Sequence, residues 1–335
     1  MSRAITIKDV ALEAGVSPST VSYALNGKRP ISDRARKRVM SVVDKLGYRP
    51  SYAAQMMKNS RTMNIGVAVD QFSNPITAKL MEELGKIILQ NGYHMILGIS
   101  GGNSSEGENI LKNFASGIVD GVINMLPEVR TIYAKQLCSN VPVVTYGRPN
   151  ADSPVSIDYQ YGMNELLNYL LFLGHKRIGF VTIEKRKSRS TNFEDPCILS
   201  AKIFYQSQRI EWNEDLVCSG DGTFDSGIIA GKKLYNKGAT AIFSGNDITG
   251  AGILAWAHTE GILVPKDLSV AGFDDAPIAS SVSPPLTTVQ ISSDELAKYT
   301  FGALKNKIDG YDSWQHKMSL AHLIKRKSCN TINKK

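Results

Sequence analysis

The sequence predicts an all-α head joined to a much longer α/β module built on doubly wound parallel sheets. Residues 6–47 show three short stretches of helical periodicity punctuated by capping residues, whereas from residue 63 short Val, Ile and Leu runs alternate with helix-length segments. Charge divides the chain at the same place. Residues 1–62 hold twelve Lys and Arg against four acids, a balance of +8, and the remaining 27 basic residues are cancelled by 27 acidic ones. Positive charge gathered in the first fifth of a chain points to a polyanionic partner, most simply nucleic acid.

The first helix opens at Thr6, which with Asp9 three residues on has the pattern of a capping box. Ile7, Val10, Ala11 and Ala14 recur at helical spacing, and Gly15 supplies the turn. The second lies in "GVSPSTVSYALNG" (15–27), with Ser17 as N-cap and Pro18 at the first helical position, where its missing N–H costs nothing. Ser17, Ser19, Thr20 and Ser22 share one side, Val16, Val21, Ala24 and Leu25 the other, and Asn26-Gly27 ends it. The third runs from about Ser32 to Leu46 with Val39, Val42, Val43 and Leu46 as its buried stripe and Gly47 as its stop. Two short helices joined by a tight turn and braced by a third make a helix-turn-helix, whose second helix enters the major groove of DNA. Small hydroxyls and Asn26 let the backbone approach and hydrogen-bond phosphate oxygens, while Val21 and Leu25 anchor the helix to its own core. Serines that only cap a surface turn are the alternative, disfavoured by the charge and the third helix. In "YRPSYAAQMMKNSR" (48–61), Pro50 stops the third helix and Ser51 can cap a short new one, or the segment is a tether.

Seven strands follow: "NIGVAVD" (64–70), "HMILGIS" (94–100), "GVINML" (121–126), "VPVVTYG" (141–147), "RIGFVTI" (177–183), "AIFSGN" (241–246) and "SVAGFD" (269–274). Continuous apolar runs ending at Gly, Ser, Asn or Asp indicate buried parallel strands with polar residues at the carboxyl ends, where such sheets bind ligands. They fall into two sets, before and after about residue 160, consistent with two lobes and a cleft.

"TIKDVALEAGVSPSTVSYALNG" (6–27) and "LGYRPSYAAQMM" (46–57) resemble the head of the lactose/galactose repressor family of bacterial transcription regulators. Fragments continue through "FSNP" (72–75), "VSID" (155–158), "LGHKRIGFV" (173–181), "GNDITGAGILA" (245–255), "VPKDLSVAGFDD" (264–275) and "PPLTTVQ" (284–290). The resemblance implies a DNA-binding head over residues 1–49 and a hinge helix over 50–62, followed by a two-lobed, periplasmic-binding-protein-like module over 63–335. Its first lobe is residues 63–160 plus 292–318, its second 161–291 plus 319–335. It implies Pro18, Ser19 and Tyr23 as base readers and Ser17, Thr20, Ser22 and Asn26 as phosphate or sugar contacts. Met57 is then the minor-groove wedge, and Ala54 allows close approach of paired hinge helices. Effector contacts are implied at Ile76, Thr77, Arg148, Asn246, Asp247 and Asp274, although Asn246-Asp247 also reads as an ordinary helix start. Three departures stand out. Tyr23 replaces a usual arginine or histidine and lacks the bidentate fork that prefers guanine. Ile76 and Thr77 replace aromatic residues that stack on a sugar. Cys197, in "NFEDPCILSAKIF", stands at about the place of a usual arginine, for which Arg186 or Arg189 could substitute.

Other classes fit poorly. "GIIAGKK" (227–233) would need Gly in place of Ser226 to be a phosphate-binding loop, and no catalytic motif occurs, so the chain is read as a non-enzyme. The four cysteines are scattered, with neither metal-ligand nor disulfide spacing, so no metal or cofactor is expected. No apolar run is long enough to span a membrane, and "MSRAITIKDV" lacks a signal-peptide core, which argues for the cytoplasm and against an exported binding protein. A phosphoprotein corepressor, suggested by "SIDYQ" (156–160), ranks below a small effector because "ASSVS" (279–283) lacks arginines. The expectation is a homodimeric repressor of a carbohydrate-utilisation operon, gripping a palindromic operator and switched by a sugar or sugar phosphate. No leucine-heptad tail follows "RKSCNTINKK", which favours a dimer over a tetramer. Removing residues 1–62 is predicted to abolish operator binding while leaving a folded dimer, measured by anisotropy and sedimentation. Operator affinity retained by that truncation would contradict the assignment.

Overall fold

The computed structural model describes residues 5–26, 29–49, 61–72, 75–127, 129–145, 153–183, 195–311 and 315–332. The chain divides into two compact units, Met1–Met63 and Asn64–Lys335.

The first unit holds α1 (Ile7–Ala14), α2 (Pro18–Asn26) and α3 (Asp33–Leu46). At the start of α1 the Thr6 N–H and hydroxyl both donate to Asp9 Oδ2, at 2.8 and 2.7 Å. Gly15 ends α1 in the left-handed region (φ 61°), which a side chain would strain, and the Val16 N–H donates to the Ala11 carbonyl at 3.0 Å. Arg38 Nη2 on α3 donates to the Gly15 carbonyl at 3.2 Å and so fastens this turn from outside. Val10, Val21 and Val39, one from each helix, are fully buried together with Ala11, Ala14, Ala24, Val43 and Tyr48. Leu25, Val42 and Leu46 pack against them, as the sequence spacing predicts.

In the second unit, β1 (Asn64–Val69), β2 (His94–Ile99), β3 (Gly121–Asn124) and β4 (Val143–Thr145) form a parallel sheet in the order β2-β1-β3-β4. Its helices are α4 (Pro75–Gln90), α5 (Ser104–Asn113) and α6 (Thr131–Leu137). The second sheet has the order β5-β11-β10-β9-β8-β6-β7. Its strands are β5 (Val155–Asp158), β6 (Ile178–Ile183), β7 (Val217–Gly220), β8 (Ala241–Ser244), β9 (Ser269–Asp274), β10 (Thr287–Ile291) and β11 (Lys317–Ile324). Around them run α7 (Tyr159–Phe172), α8 (Pro196–Ser207), α9 (Phe224–Asn236), α10 (Asp247–Thr259), α11 (Pro277–Ser281) and α12 (Ser293–Ile308). Every residue of β1 and of β9 is buried, as strands covered by helices on both faces require. All seven predicted strands are present, six of them shortened and β9 with its predicted bounds; among the described residues β5, β7, β10 and β11 are additional.

Within this unit β11 changes partner along its length. Lys317–Leu320 pairs parallel with β5, and Ala321–Ile324 pairs antiparallel with β10. The helix between β10 and β11, α12, packs on α4, β3 and β4 of the first sheet. The chain beyond β11 is stitched back along the second sheet. Ser328 Oγ accepts from the Thr287 N–H at 2.8 Å, and the Asn330 carbonyl bonds His175 Nε2 at 3.0 Å. All four cysteines are free and buried.

Helices α9 and α10 touch backbone to backbone. A Cβ on Gly227 would lie 2.1 Å from the Thr249 carbonyl oxygen, and one on Gly252 would lie 2.0 Å from that of Phe224. Gly85 in α4 meets only the Met95 methyl, at 3.5 Å. Gly252→Ala is predicted to destabilise the chain by about 1–3 kcal/mol or more, and Gly85→Ala to stabilise it by about 0.5–1 kcal/mol, in denaturant unfolding. Equal effects at the two positions would contradict the tight crossing.

Candidate functional site

On the head, the exposed end of α2 is a cluster of hydroxyls. Ser17 Oγ accepts from the Thr20 N–H at 3.1 Å and lies 2.7 Å from Ser19 Oγ and 2.9 Å from Thr20 Oγ1. Ser17 therefore does what the sequence assigns to it as a cap, and in doing so gathers three hydroxyls at the positive end of the helix dipole. Pro18 and Ser19 are exposed; Thr20, Ser22 and Tyr23 are half-buried. Val21 and Ala24, on the opposite side, are buried. The helix thus spends one face on the core and turns its hydroxyl-rich face away from it. Tyr23 carries the Arg29 guanidinium over its ring, with Cζ 5.5 Å from the centroid. The side chain of Asn26, and Ala54, Met57 and Arg148, lie outside the described residues, as do Arg186 and Arg189.

In the second unit the described residues implied for the effector, Ile76, Thr77, Asn246, Asp247 and Asp274, sit at or beyond the carboxyl ends of parallel strands. Ile76 and Thr77 are half-buried in the first turn of α4. Asn246 caps α10: its Oδ1 accepts from the Thr249 N–H at 2.9 Å, and its Nδ2 donates to the Gly222 carbonyl at 3.0 Å. Asp247 is 1% exposed; Oδ2 accepts from the Ala276 N–H at 2.7 Å and Oδ1 from the Thr288 hydroxyl at 2.5 Å. These two side chains are turned inward, with the bonds of an ordinary helix start, because burial leaves them only protein partners. Two cavities, of about 580 Å³ near Trp212 and 340 Å³ near Cys138, are lined by none of the implied effector residues.

Asp274 and Asp275 have φ of 104° and 56°, a costly backbone for residues with side chains. Their surroundings hold it in place. Asp275 accepts from Arg326 Nη2 at 2.5 Å and from Gln290 Nε2 at 2.8 Å, and Asp247 fixes the next N–H, that of Ala276. Asp274 lies near Cys197: burial, then the charges of Asp195 and Asp274, push the Cys197 thiol well above its ordinary range. Asp195, beside Cys197, is a partly buried carboxylate that the sequence reading did not single out. It caps α8, its carboxylate accepting from the Ile183 N–H at 2.9 Å and the Cys197 N–H at 2.8 Å. Asp directly before Pro196 is the same cap-then-proline signal that marks Ser17-Pro18.

Burial pushes the Asp247 carboxyl up to about 7, against two hydrogen bonds that favour its charged form. The folded chain then holds a proton that the unfolded chain has released. This contribution to stability is full below the ordinary carboxylate value of about 4 and is lost as pH rises through the folded value. Asp247→Asn is predicted to gain stability relative to the parent chain between pH about 4 and 7 in denaturant melts. Parallel pH profiles would contradict it.

Residues 6–51 match the profile "Bacterial regulatory proteins, lacI family", and residues 167–329 match "Periplasmic binding protein-like domain". The chain is 33% identical over 296 residues to catabolite control protein A of Priestia megaterium, covering 85% of this chain and 87% of that protein. It is 29% identical over 309 residues to the ribose operon repressor of Haemophilus influenzae, covering 90% and 92%. Its fold is similar to that of the lac repressor dimer bound to operator and the anti-inducer ONPF, with a TM-score of 0.88 at 23% identity over 99% of this chain and 100% of that one. With its helix-turn-helix head, its α/β module and a relative of this identity spanning most of both chains, the protein belongs to the lacI family of bacterial regulatory proteins and is a DNA-binding transcriptional regulator.

Proposed function

We propose that the chain is a cytoplasmic, homodimeric repressor of a carbohydrate-utilisation operon, without enzymatic activity. Residues 1–49 bind a two-fold symmetric operator, 50–62 form the hinge and 63–335 bind the effector and the second protomer. The observation that carries the reading is the hydroxyl cluster of exposed Ser17 and Ser19 with half-buried Thr20 at the N-terminus of α2, on a head that holds all the excess positive charge. Pro18, Ser19 and Tyr23 face bases, while Ser17, Thr20, Ser22 and Asn26 face the backbone of the DNA. In the hinge, Met57 enters the minor groove and Ala54 lets paired helices approach.

A sugar or sugar phosphate is the effector, held at the carboxyl ends of the strands by Ile76, Thr77, Arg148 and Asp274, with Asn246 and Asp247 shaping the site from behind. The strained Asp274-Asp275 backbone supports a functional assignment there, since such conformations persist where surrounding bonds over-determine them. Binding changes the separation of the hinge helices and so the affinity for operator. A thermal-melting screen of the full chain against pentoses, hexoses and their phosphates tests this. A ligand that raises the Tm is expected to shift operator affinity by about 5- to 150-fold, a coupling of about 1–3 kcal/mol. A ligand that raises Tm and leaves operator affinity unchanged would contradict the switch. Met57→Ala is predicted to weaken specific binding more than binding to random duplex, because only the specific complex needs a kinked step. Equal losses on both DNAs would reject the wedge.

A further inference from the structure

The base-reading face of α2 carries an aromatic ring where a planar cation would read guanine, yet a planar cation stands beside that ring. Tyr23 lies four residues after Ser19 and so on the same helix face, one helical turn along from an exposed hydroxyl. Arg29, exposed just beyond the end of α2, brings its guanidinium carbon to 5.5 Å from the centroid of the Tyr23 ring. Attraction of a guanidinium to a ring face uses its charge and not its N–H donors, so the fork stays available for acceptors. A phenol offers one hydroxyl; a guanidinium offers two parallel donors matching guanine N7 and O6.

We infer that Tyr23 and Arg29 form one base-reading unit, in which the ring is a shelf that holds the Arg29 fork against the edge of a guanine in each operator half-site. Arg29 is the specificity-determining residue and Tyr23 the positioning residue. The inference rests on the DNA-binding reading of the head and adds to it a residue, a base and a division of labour. Arg29 lies just beyond the C-terminal end of α2, so the guanine lies toward the end of the half-site read by that part of the helix.

The test is an anisotropy titration of the full chain against its selected operator and every single-base variant of one symmetric pair at a time. Arg29→Lys keeps the charge and removes the fork. It is expected to lose the preference for guanine at one symmetric position, about 5- to 150-fold in the parent, with affinity for random duplex within about two-fold. Tyr23→Phe keeps the ring and is expected to keep the preference. Tyr23→Ala removes the shelf and is expected to weaken discrimination at the same position by about two- to five-fold. An unchanged base profile in Arg29→Lys would overturn the inference. So would a uniform loss on all sequences in Arg29→Ala with a salt slope lower by about one, which marks a phosphate contact. Loss of the preference in Tyr23→Phe would assign the reading to the phenol hydroxyl and overturn it equally. A parent chain that binds no DNA would instead fail the DNA-binding reading itself, and the inference with it.

Discussion

The head depends on the mutual burial of Val10, Val21 and Val39, one residue from each of its three helices. A helix that reads DNA has to be held by one face only, since any anchor on the other face would stand between it and the groove. In α2 that hold comes from Val21 and Ala24, with Leu25 packed partly against them. Everything on the far side is left to polar chemistry. The supports come from outside the reading face as well: the left-handed Gly15 sets the angle of entry into α2, and Arg38 of α3 bonds its carbonyl. Burying three valines contributes about 1.5–3 kcal/mol each, roughly 5–9 kcal/mol together before entropy is counted, so a head of this size is marginal alone.

The α/β module follows a different constraint. Parallel strands must be covered on both faces, which forces helices into close contact with each other and with the sheet. Gly227 and Gly252 let α9 and α10 meet at backbone distance, and the Asp247 carboxylate sits where a Cβ on Gly272 would fall. Close packing of this kind gives the carboxyl ends of β8 and β9 a rigid frame. The frame in turn holds Asp274 and Asp275 in a backbone they would not adopt in a free chain. Strand β11 links this frame to β5, and α12 carries the chain back onto the first sheet.

Elements with a local physical signature were legible in the sequence. Capping residues and glycine stops marked all three helices of the head, because those signals act within one turn. The continuous apolar runs marked seven strands, most of them buried on both faces; the edge strand β2 departs from this, with His94, Leu97 and Ile99 exposed. Four strands escaped. "VSID" (β5) and "VCSG" (β7) interrupt their apolar residues with polar or small ones and lie at the two edges of their sheet. "TTVQI" (β10) and "KMSLAHLI" (β11) mix polar and apolar residues, and β11 is exposed along much of its length. Side-chain commitments were less legible than elements. Whether Asn246 and Asp247 turn outward or inward depends on Gly222, Ala276 and Thr288, between 24 and 41 residues away in the chain. The contact of Arg29 with Tyr23 joins residues six apart, a separation for which helical spacing offers no rule.

A head of this kind reads one two-fold symmetric DNA sequence. Selection from random duplex DNA by the purified full-length protein, followed by sequencing, tests it most directly. The expected result is enrichment of one palindromic site with a flexible pyrimidine–purine step at its centre, where a hinge wedge can kink the duplex. A bound pool with no consensus, retained only through phosphates and released by modest salt, would contradict it.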